Sequence, residues 1–412
     1  MKLIKKVLSR LALGVLGVAL PLLLLEGGVR LLGIAPPAVL QPPLWAPHPY
    51  LGWFHRLNSG GRSYSEYGEF QADVHINARG LRDREIGYDN PSGAYRVLVL
   101  GDSFAEALQV PLEETFTKQL ETELASDNRP VEVINGGVGG WGTDQEGLFY
   151  LVEGFRYHPD LVLLCFFPND PLNNYEPLET AQAGGVQKPF FRLQGGELVS
   201  PSFPFEPPRH SDTAGPPLLP ASDWLRAHSA LYRLTVPYLR DIRTTRRALG
   251  PSGLLGGMGV IRAKEPDLPS SFDVYRADAL PEWDAAWELT GALIRRLDGE
   301  VEARGARLVV VIIGASEQVY PDRWAATLAA NPSMQSLRWD LETPNRRLTA
   351  ILNEAGIPYL DLLPTFRDAA SQSGAPPLHF RHDGHWTPSG HELAARAIAS
   401  FLREGGLPTT SR

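Results

Sequence analysis

Residues 95–104 read Tyr-Arg-Val-Leu-Val-Leu-Gly-Asp-Ser-Phe. The first six form a compact apolar and β-branched run that stops at Gly101, as a short buried strand does. Downstream, Phe116, Leu120 and Leu124 recur at helical spacing, which predicts a helix over 112–124. One βα unit predicts more. A second strand is expected at 131–134, a helix at 144–155, and a third strand at 161–167. The third is apolar throughout, as strands covered on both faces are. The rhythm breaks over 176–275 and resumes with a helix at 283–304. A strand at 308–313, a helix at 341–354, a strand at 357–360 and a closing helix at 391–403 complete it. The expected fold is α/β, a three-layer αβα sandwich around a parallel five-stranded sheet. In such sheets functional residues gather at the carboxyl ends of the strands.

Outside this rhythm the chain changes character. Lys2, Lys5, Lys6 and Arg10 precede an uncharged apolar run over 11–25. Residues 1–30 therefore read as a membrane anchor or a signal. The positive flank sets the N-terminus on the cytoplasmic side. The run ends in Glu26-Gly27-Gly28-Val29-Arg30, which is no small-x-small cleavage site, and no lipobox cysteine is present. A single-pass transmembrane helix that stays uncleaved is the expectation. A cleaved signal is the rival, and both export the remainder. Residues 31–90 read as a proline-rich stalk over 35–50 and a small β-rich cover over 51–90. Residues 91–412 form the main domain, with 176–275 as a large insertion. That insertion begins rich in Pro and Gly, looks helical over 224–249, and carries a basic cluster at 240–247. The cluster reads as a solvated helix face, with docking to an anionic polymer or lipid headgroups as the rival. The composition is that of a globular protein, and a net charge of -8 argues against a nucleic-acid partner. Cys165 is the one cysteine, so no intramolecular disulfide can form, and its apolar surroundings mark a buried thiol.

Chemistry-bearing residues stand where the strands end. Ser103 follows the first strand, placed as a nucleophile at the mouth of the sheet or as a helix N-cap. The second strand ends in Asn135-Gly136-Gly137-Val138-Gly139-Gly140-Trp141-Gly142-Thr143. Such a run lets backbone N–H groups approach a substrate oxygen, and it also suits a flexible turn. A dinucleotide loop would follow the first strand instead. The third strand ends in Pro168-Asn169-Asp170, an oxyanion donor or an Asx-turn. Near the C-terminus, 379–391 reads His-Phe-Arg-His-Asp-Gly-His-Trp-Thr-Pro-Ser-Gly-His. Asp383 and His385 can orient and activate a serine from one loop. Four close histidines also suggest metal, but no H-E-x-x-H pattern and no nearby cysteine accompanies them.

Taken together, in this order and at these places, the motifs resemble the SGNH hydrolase superfamily, also called GDSL esterases, over about 94–175 and 280–403. The resemblance implies the flavodoxin-like sheet order and gives Ser103 as nucleophile. It puts the oxyanion hole on Ser103, Gly140 and Asn169, with Asp383 and His385 completing a triad. The usual Asp-x-x-His is here Asp383-Gly384-His385, which resembles the branch of alginate O-acetyltransferase-like proteins. The segment Asn77-Ala78-Arg79-Gly80-Leu81-Arg82 looks like membrane-tethered relatives and is taken as structural. The implied activity is an exported, membrane-anchored serine esterase acting on acyl esters, acetyl above all, of a glycan or lipid. An O-acyltransferase of extracytoplasmic polysaccharide, working beside a membrane acyl donor, is the alternative. A silent binding or assembly protein on the same fold is the third reading. No cofactor and no metal is required.

Overall fold

Strands whose side chains are all apolar need cover on both faces. In the computed structural model the described residues are 2–37, 44–125, 130–183, 188–205, 218–249, 252–255, 270–278 and 280–405. Five strands, β1 (Tyr95–Gly101), β2 (Val131–Asn135), β3 (Leu161–Phe166), β4 (Arg307–Ile312) and β5 (Tyr359–Asp361), form one sheet in the order β5-β4-β3-β1-β2. Every pairing in it is parallel. The helices around the sheet are α1 (Ser103–Glu106), α2 (Phe116–Leu124), α3 (Thr143–Val152), α4 (Asp170–Asn174), α5 (Pro281–Glu302), α6 (Thr343–Ala355), α7 (Leu363–Ser371) and α8 (Pro388–Glu404).

Alternate residues of each strand feed two cores. Leu98, Leu100, Ile134, Val162, Leu164, Val310 and Ile312 pack with α3, α5 and α6. Val97, Val99, Val133, Leu163, Val309 and Val311 pack with α2, α7 and α8. The three-layer expectation is met. The order of strands reverses between β1 and β3, so the ends carrying Ser103 and Asn169 flank the crevice where such sheets bind ligands. Boundaries differ in detail. The expected helix over 112–124 is a 3₁₀ turn, Leu112–Glu114, followed by α2, because the Thr115 side chain caps α2 at the Lys118 N–H.

The chain forms two compact units. The larger holds the sheet together with 42–63, 70–211 and 262–412. Of the stretch read as a stalk, 38–43 lie outside the described residues, as do several parts of the insertion. The rest of that stretch is no free stalk: Trp45–His48 pairs antiparallel with Gly52–His55. A second strand pair joins Gly60–Tyr64 and Gln71–His75. The smaller unit contains the N-terminal helix, Lys2–Leu32, and the insertion helices Leu219–His228, Ala230–Asp241 and Arg243–Leu249. Within it the Glu26 carboxylate accepts hydrogen bonds from the Ala230 and Leu231 N–H groups and the Ser229 hydroxyl, capping the helix they begin. Arg240 of the basic cluster pairs with Glu66. Among the described residues no helix is long and apolar enough to cross a membrane, so the expected transmembrane segment is not found there.

One buried ion pair ties the edge of the sheet to its surroundings. Lys118 on α2 lies 2.7 Å from Asp83 and donates to the Val133 carbonyl at 2.6 Å. Asp83 also accepts from the Asn135 N–H at 2.9 Å. Burial drives the Asp83 carboxyl above its usual range despite the ammonium beside it. Lys118→Met should strand that carboxylate and cost about 3–5 kcal/mol, the usual penalty for one partner of a buried pair. The expected sign is a clear drop in the urea unfolding midpoint; an unchanged midpoint would show the pair to be energetically neutral.

Candidate active site

The site begins at the end of β1. Asp102 caps α1, its side chain accepting the Phe104 N–H at 2.9 Å. Ser103 is therefore not the cap, and its hydroxyl is available. Ala107 ends the turn in the left-handed conformation, φ 55°. Ser103 Oγ lies 2.7 Å from His385 Nε2, and His385 Nδ1 lies 2.7 Å from Asp383 Oδ1. Residues 282 positions apart in sequence thus meet in one hydrogen-bonded chain.

The two-residue spacing of Asp383 and His385 works because of Gly384. With φ at 85° it turns the loop back tightly enough for one carboxylate oxygen to meet both the backbone N–H and the ring of His385. The loop is closed by Phe380 N–H donating to the His385 carbonyl at 2.8 Å. Phe104 packs on the imidazole at a ring separation of 4.8 Å and on Phe167 at 4.5 Å. Burial pulls the His385 imidazole down. The hydrogen bond and charge of Asp383, followed by the charges of Asp102 and Glu106, outweigh it and hold the pKa above its ordinary value. Asp102 itself is pushed up to about 6 by burial.

Gly140 stands exposed at the end of its loop, with φ at 78° and the Trp53 ring beside it. Asn169 lies next to Asp102, its amide nitrogen 3.4 Å from Asp102 Oδ2, a long contact. The remaining histidines of the C-terminal run separate. His379 and His391 are buried, and burial pushes each down to about 3, so both are neutral. His391 accepts the Phe116 N–H instead of facing the site. Among the described residues no group of three or more His, Cys, Asp or Glu side chains could hold a metal.

Several residues that grip the site escaped the sequence reading. Arg82, from the segment taken as structural, is buried and donates to the carbonyls of Glu106 at 2.9 Å, Ala107 at 2.6 Å and Val110 at 2.5 Å. Asn135 donates to the Ala105 carbonyl and accepts the Gly137 N–H, joining the Ser103 turn to the glycine run. The available signal was Asn77-Ala78-Arg79-Gly80-Leu81-Arg82 itself, because a backbone-gripping arginine has a motif but no chemistry of its own.

A serine, a histidine and an aspartate joined this way, at the crevice of a parallel sheet, define a site of the serine acyl-transfer class. Residues 275–411 match the family model described as SGNH hydrolase-like domain, acetyltransferase AlgX. A Vibrio mimicus protein named "Arylesterase" is 37% identical over 83 residues, 20% of this chain and 41% of that protein. Two proteins named "Probable alginate O-acetylase AlgJ", from Pseudomonas aeruginosa and Pseudomonas syringae pv. tomato, are 30% and 33% identical over 149 residues. Those matches cover 36% of this chain and 34% of each relative, so less than half of any of these relatives is spanned. Over these parts of the chain the protein is similar to SGNH hydrolase-like proteins of the AlgX and AlgJ kind.

The raised imidazole gives a pH signature. A base must be neutral to take the Ser103 proton, so reactivity should be lost as pH falls through the His385 pKa. Derivatisation of Ser103 by a fluorophosphonate should therefore show an inflection above about 6.5, the ordinary histidine value. Asp383→Asn removes the largest raising influence, so the inflection should move down while the rate falls by up to about 10⁴. An inflection that does not move would separate Asp383 from the titrating group.

Proposed function

We propose that this chain is an acyl-transfer enzyme working on acyl esters of a carbohydrate, acetyl esters foremost, through a covalent ester on Ser103. The observation that carries this is the unbroken Ser103–His385–Asp383 hydrogen-bond chain. His385 Nε2 takes the hydroxyl proton as Ser103 Oγ attacks the ester carbonyl carbon. Asp383 holds the ring in the productive tautomer and stabilises the imidazolium. The N–H groups of Ser103 and Gly140, with the Asn169 amide, receive the oxyanion. Collapse expels the alkoxide, which takes the proton from His385. A second oxygen nucleophile then gives its proton to His385 and attacks the acyl-enzyme, releasing the acyl group and restoring Ser103.

The identity of that second nucleophile separates two readings. Water makes the protein an esterase. A sugar hydroxyl makes it an O-acetyltransferase, which the match to the acetyltransferase AlgX model and to the AlgJ proteins favours. With p-nitrophenyl acetate as donor and an oligosaccharide as acceptor, a transferase should partition acetate onto sugar, whereas an esterase should release free acetate alone. Ser103→Ala should abolish both products and all fluorophosphonate labelling. Folding should survive the change, because Asp102 supplies the cap. Turnover that persists in Ser103→Ala would remove this serine from the mechanism.

The proposed setting is extracytoplasmic, with the N-terminal helix as an uncleaved anchor and a membrane acyl donor as partner in the transferase case. Supporting the anchor, Leu13, Leu16, Val18, Leu20, Leu22, Leu23, Leu24 and Leu25 are all exposed on a helix led by four basic residues. Leucines at that many consecutive positions cannot be buried on one helix face. Membranes washed with carbonate should retain the full chain with its N-terminus intact. Release into the wash, or a mature chain starting near residue 27, would overturn the anchor.

A further inference from the structure

The ribbon made by Trp45–His48 and Gly52–His55 reaches two loops of the site. Trp45 donates through Nε1 to Oε1 of Glu106 at 2.9 Å, and His55 Nε2 lies 2.6 Å from the same oxygen. His55 Nδ1 lies 2.9 Å from the Gly80 carbonyl oxygen. A carbonyl oxygen can only accept, so Nδ1 carries a hydrogen. The other ring nitrogen then faces the Glu106 carboxyl group. Both side chains are buried.

Glu106 is the last residue of the turn that Ser103 opens. Its Oε2 lies 2.7 Å from where a Cβ on Gly139 would stand, so the carboxylate fills the space that glycine leaves. Trp53 of the same ribbon donates to the Gly139 carbonyl at 3.1 Å. Its ring edge is 3.6 Å from the Cβ position of Gly140. The Gly139–Gly140 peptide is thus held by one side chain from the nucleophile turn and one from the ribbon.

We propose that Glu106, locked by His55 and Trp45, is a positioning residue that sets the Gly140 N–H relative to Ser103. It acts through the Gly139–Gly140 peptide and not on the substrate. The inference rests on Ser103 being the nucleophile. An apolar side chain of the same volume would leave the Trp45 N–H and the His55 ring nitrogen without their partner. The directional bonds to His55 and Trp45 add a fixed place for the carboxylate, the registry role that buried polar pairs can serve. That matters because a misplacement of about 1 Å in a catalytic constellation can cost about 10²-fold in rate.

The test is steady-state hydrolysis of p-nitrophenyl acetate by the full chain, with thermal midpoints measured beside it. Glu106→Gln keeps the shape and removes the charge. It should lower kcat about 10- to 100-fold per folded molecule while KM stays within about threefold, the pattern of a transition-state contact put out of place. His55→Gln should do the same, and the double variant should be no worse than either alone, because the pair acts as one unit. A purely structural pair would lower the melting temperature and leave kcat per folded molecule unchanged, which overturns the proposal. So does additive loss in the double variant. If Glu106→Gln does not fold, Trp53→Phe keeps an aromatic ring and deletes the donor to Gly139. A lower kcat then supports the proposal and an unchanged one overturns it. A wild-type chain that neither turns over ester nor labels at Ser103 would instead take down the acyl-transfer reading, and this proposal with it.

Discussion

A helix of one turn cannot hold a side chain still by its own hydrogen bonds, because helix formation starts at a loss and recovers it only with length. Ser103 sits on such a helix, four residues long. Much of the larger unit can be understood as what holds it. Asp102 closes its N-terminal end and Ala107 ends it in the left-handed conformation. Arg82 takes three carbonyls at the far end, satisfying acceptors that a short helix leaves without partners. Asn135 binds the Ala105 carbonyl between them. Each grip comes from a different part of the chain, so the turn is held only once the whole unit is folded.

The same region is dense in carboxyl groups. Asp102, Asp144, Glu146 and Asp170 are all buried near the sheet's carboxyl edge. Burial drives Glu146 and Asp170 well above the usual range, and the neighbouring acids add to the rise. Among the described residues, both Glu146 oxygens and Asp170 Oδ1 have no hydrogen-bond partner, while Asp170 Oδ2 accepts from the Thr143 hydroxyl. A neutral carboxyl tolerates that arrangement and a carboxylate does not. Asp144 differs from Glu146 and Asp170 in facing an ammonium. The insertion brings Lys188 to it at 2.8 Å, with both side chains fully buried. His385 stands in a field made negative by Asp383, Asp102 and Glu106.

The parts of this fold that were legible from sequence share one property: their signal is local. The strands at 95–101, 131–135, 161–166 and 307–312 announce themselves because burial on both faces requires apolar residues at nearly every position. The last strand, three residues and half-buried, carries a weaker signal and was displaced by two residues. Thr115 interrupts the expected helix over 112–124 because a cap is a one-residue event within a continuous apolar spacing. In the same way the proline-rich stretch looked like a spacer, although Trp45 within it reaches a buried carboxylate.

By itself the sequence determined the βα rhythm, the order of the strand-end motifs, and the candidates Ser103, Gly140, Asn169, Asp383 and His385. Gly140 follows from the resemblance to SGNH hydrolases, and each of the others is set by composition or spacing within a few residues. Only the tertiary structure decided which of two roles a residue takes. Ser103 is no cap because Asp102 occupies that position. His379 and His391 serve the core because they lie among Phe366, Trp386 and Phe116, whereas His385 faces Ser103. Arg82, Glu106 and His55 had no assignable role until the chain brought them together. The physical reason is the same in each case. A hydrogen bond depends on distances of about 3 Å between groups that the sequence can leave hundreds of residues apart, and only packing brings them within reach.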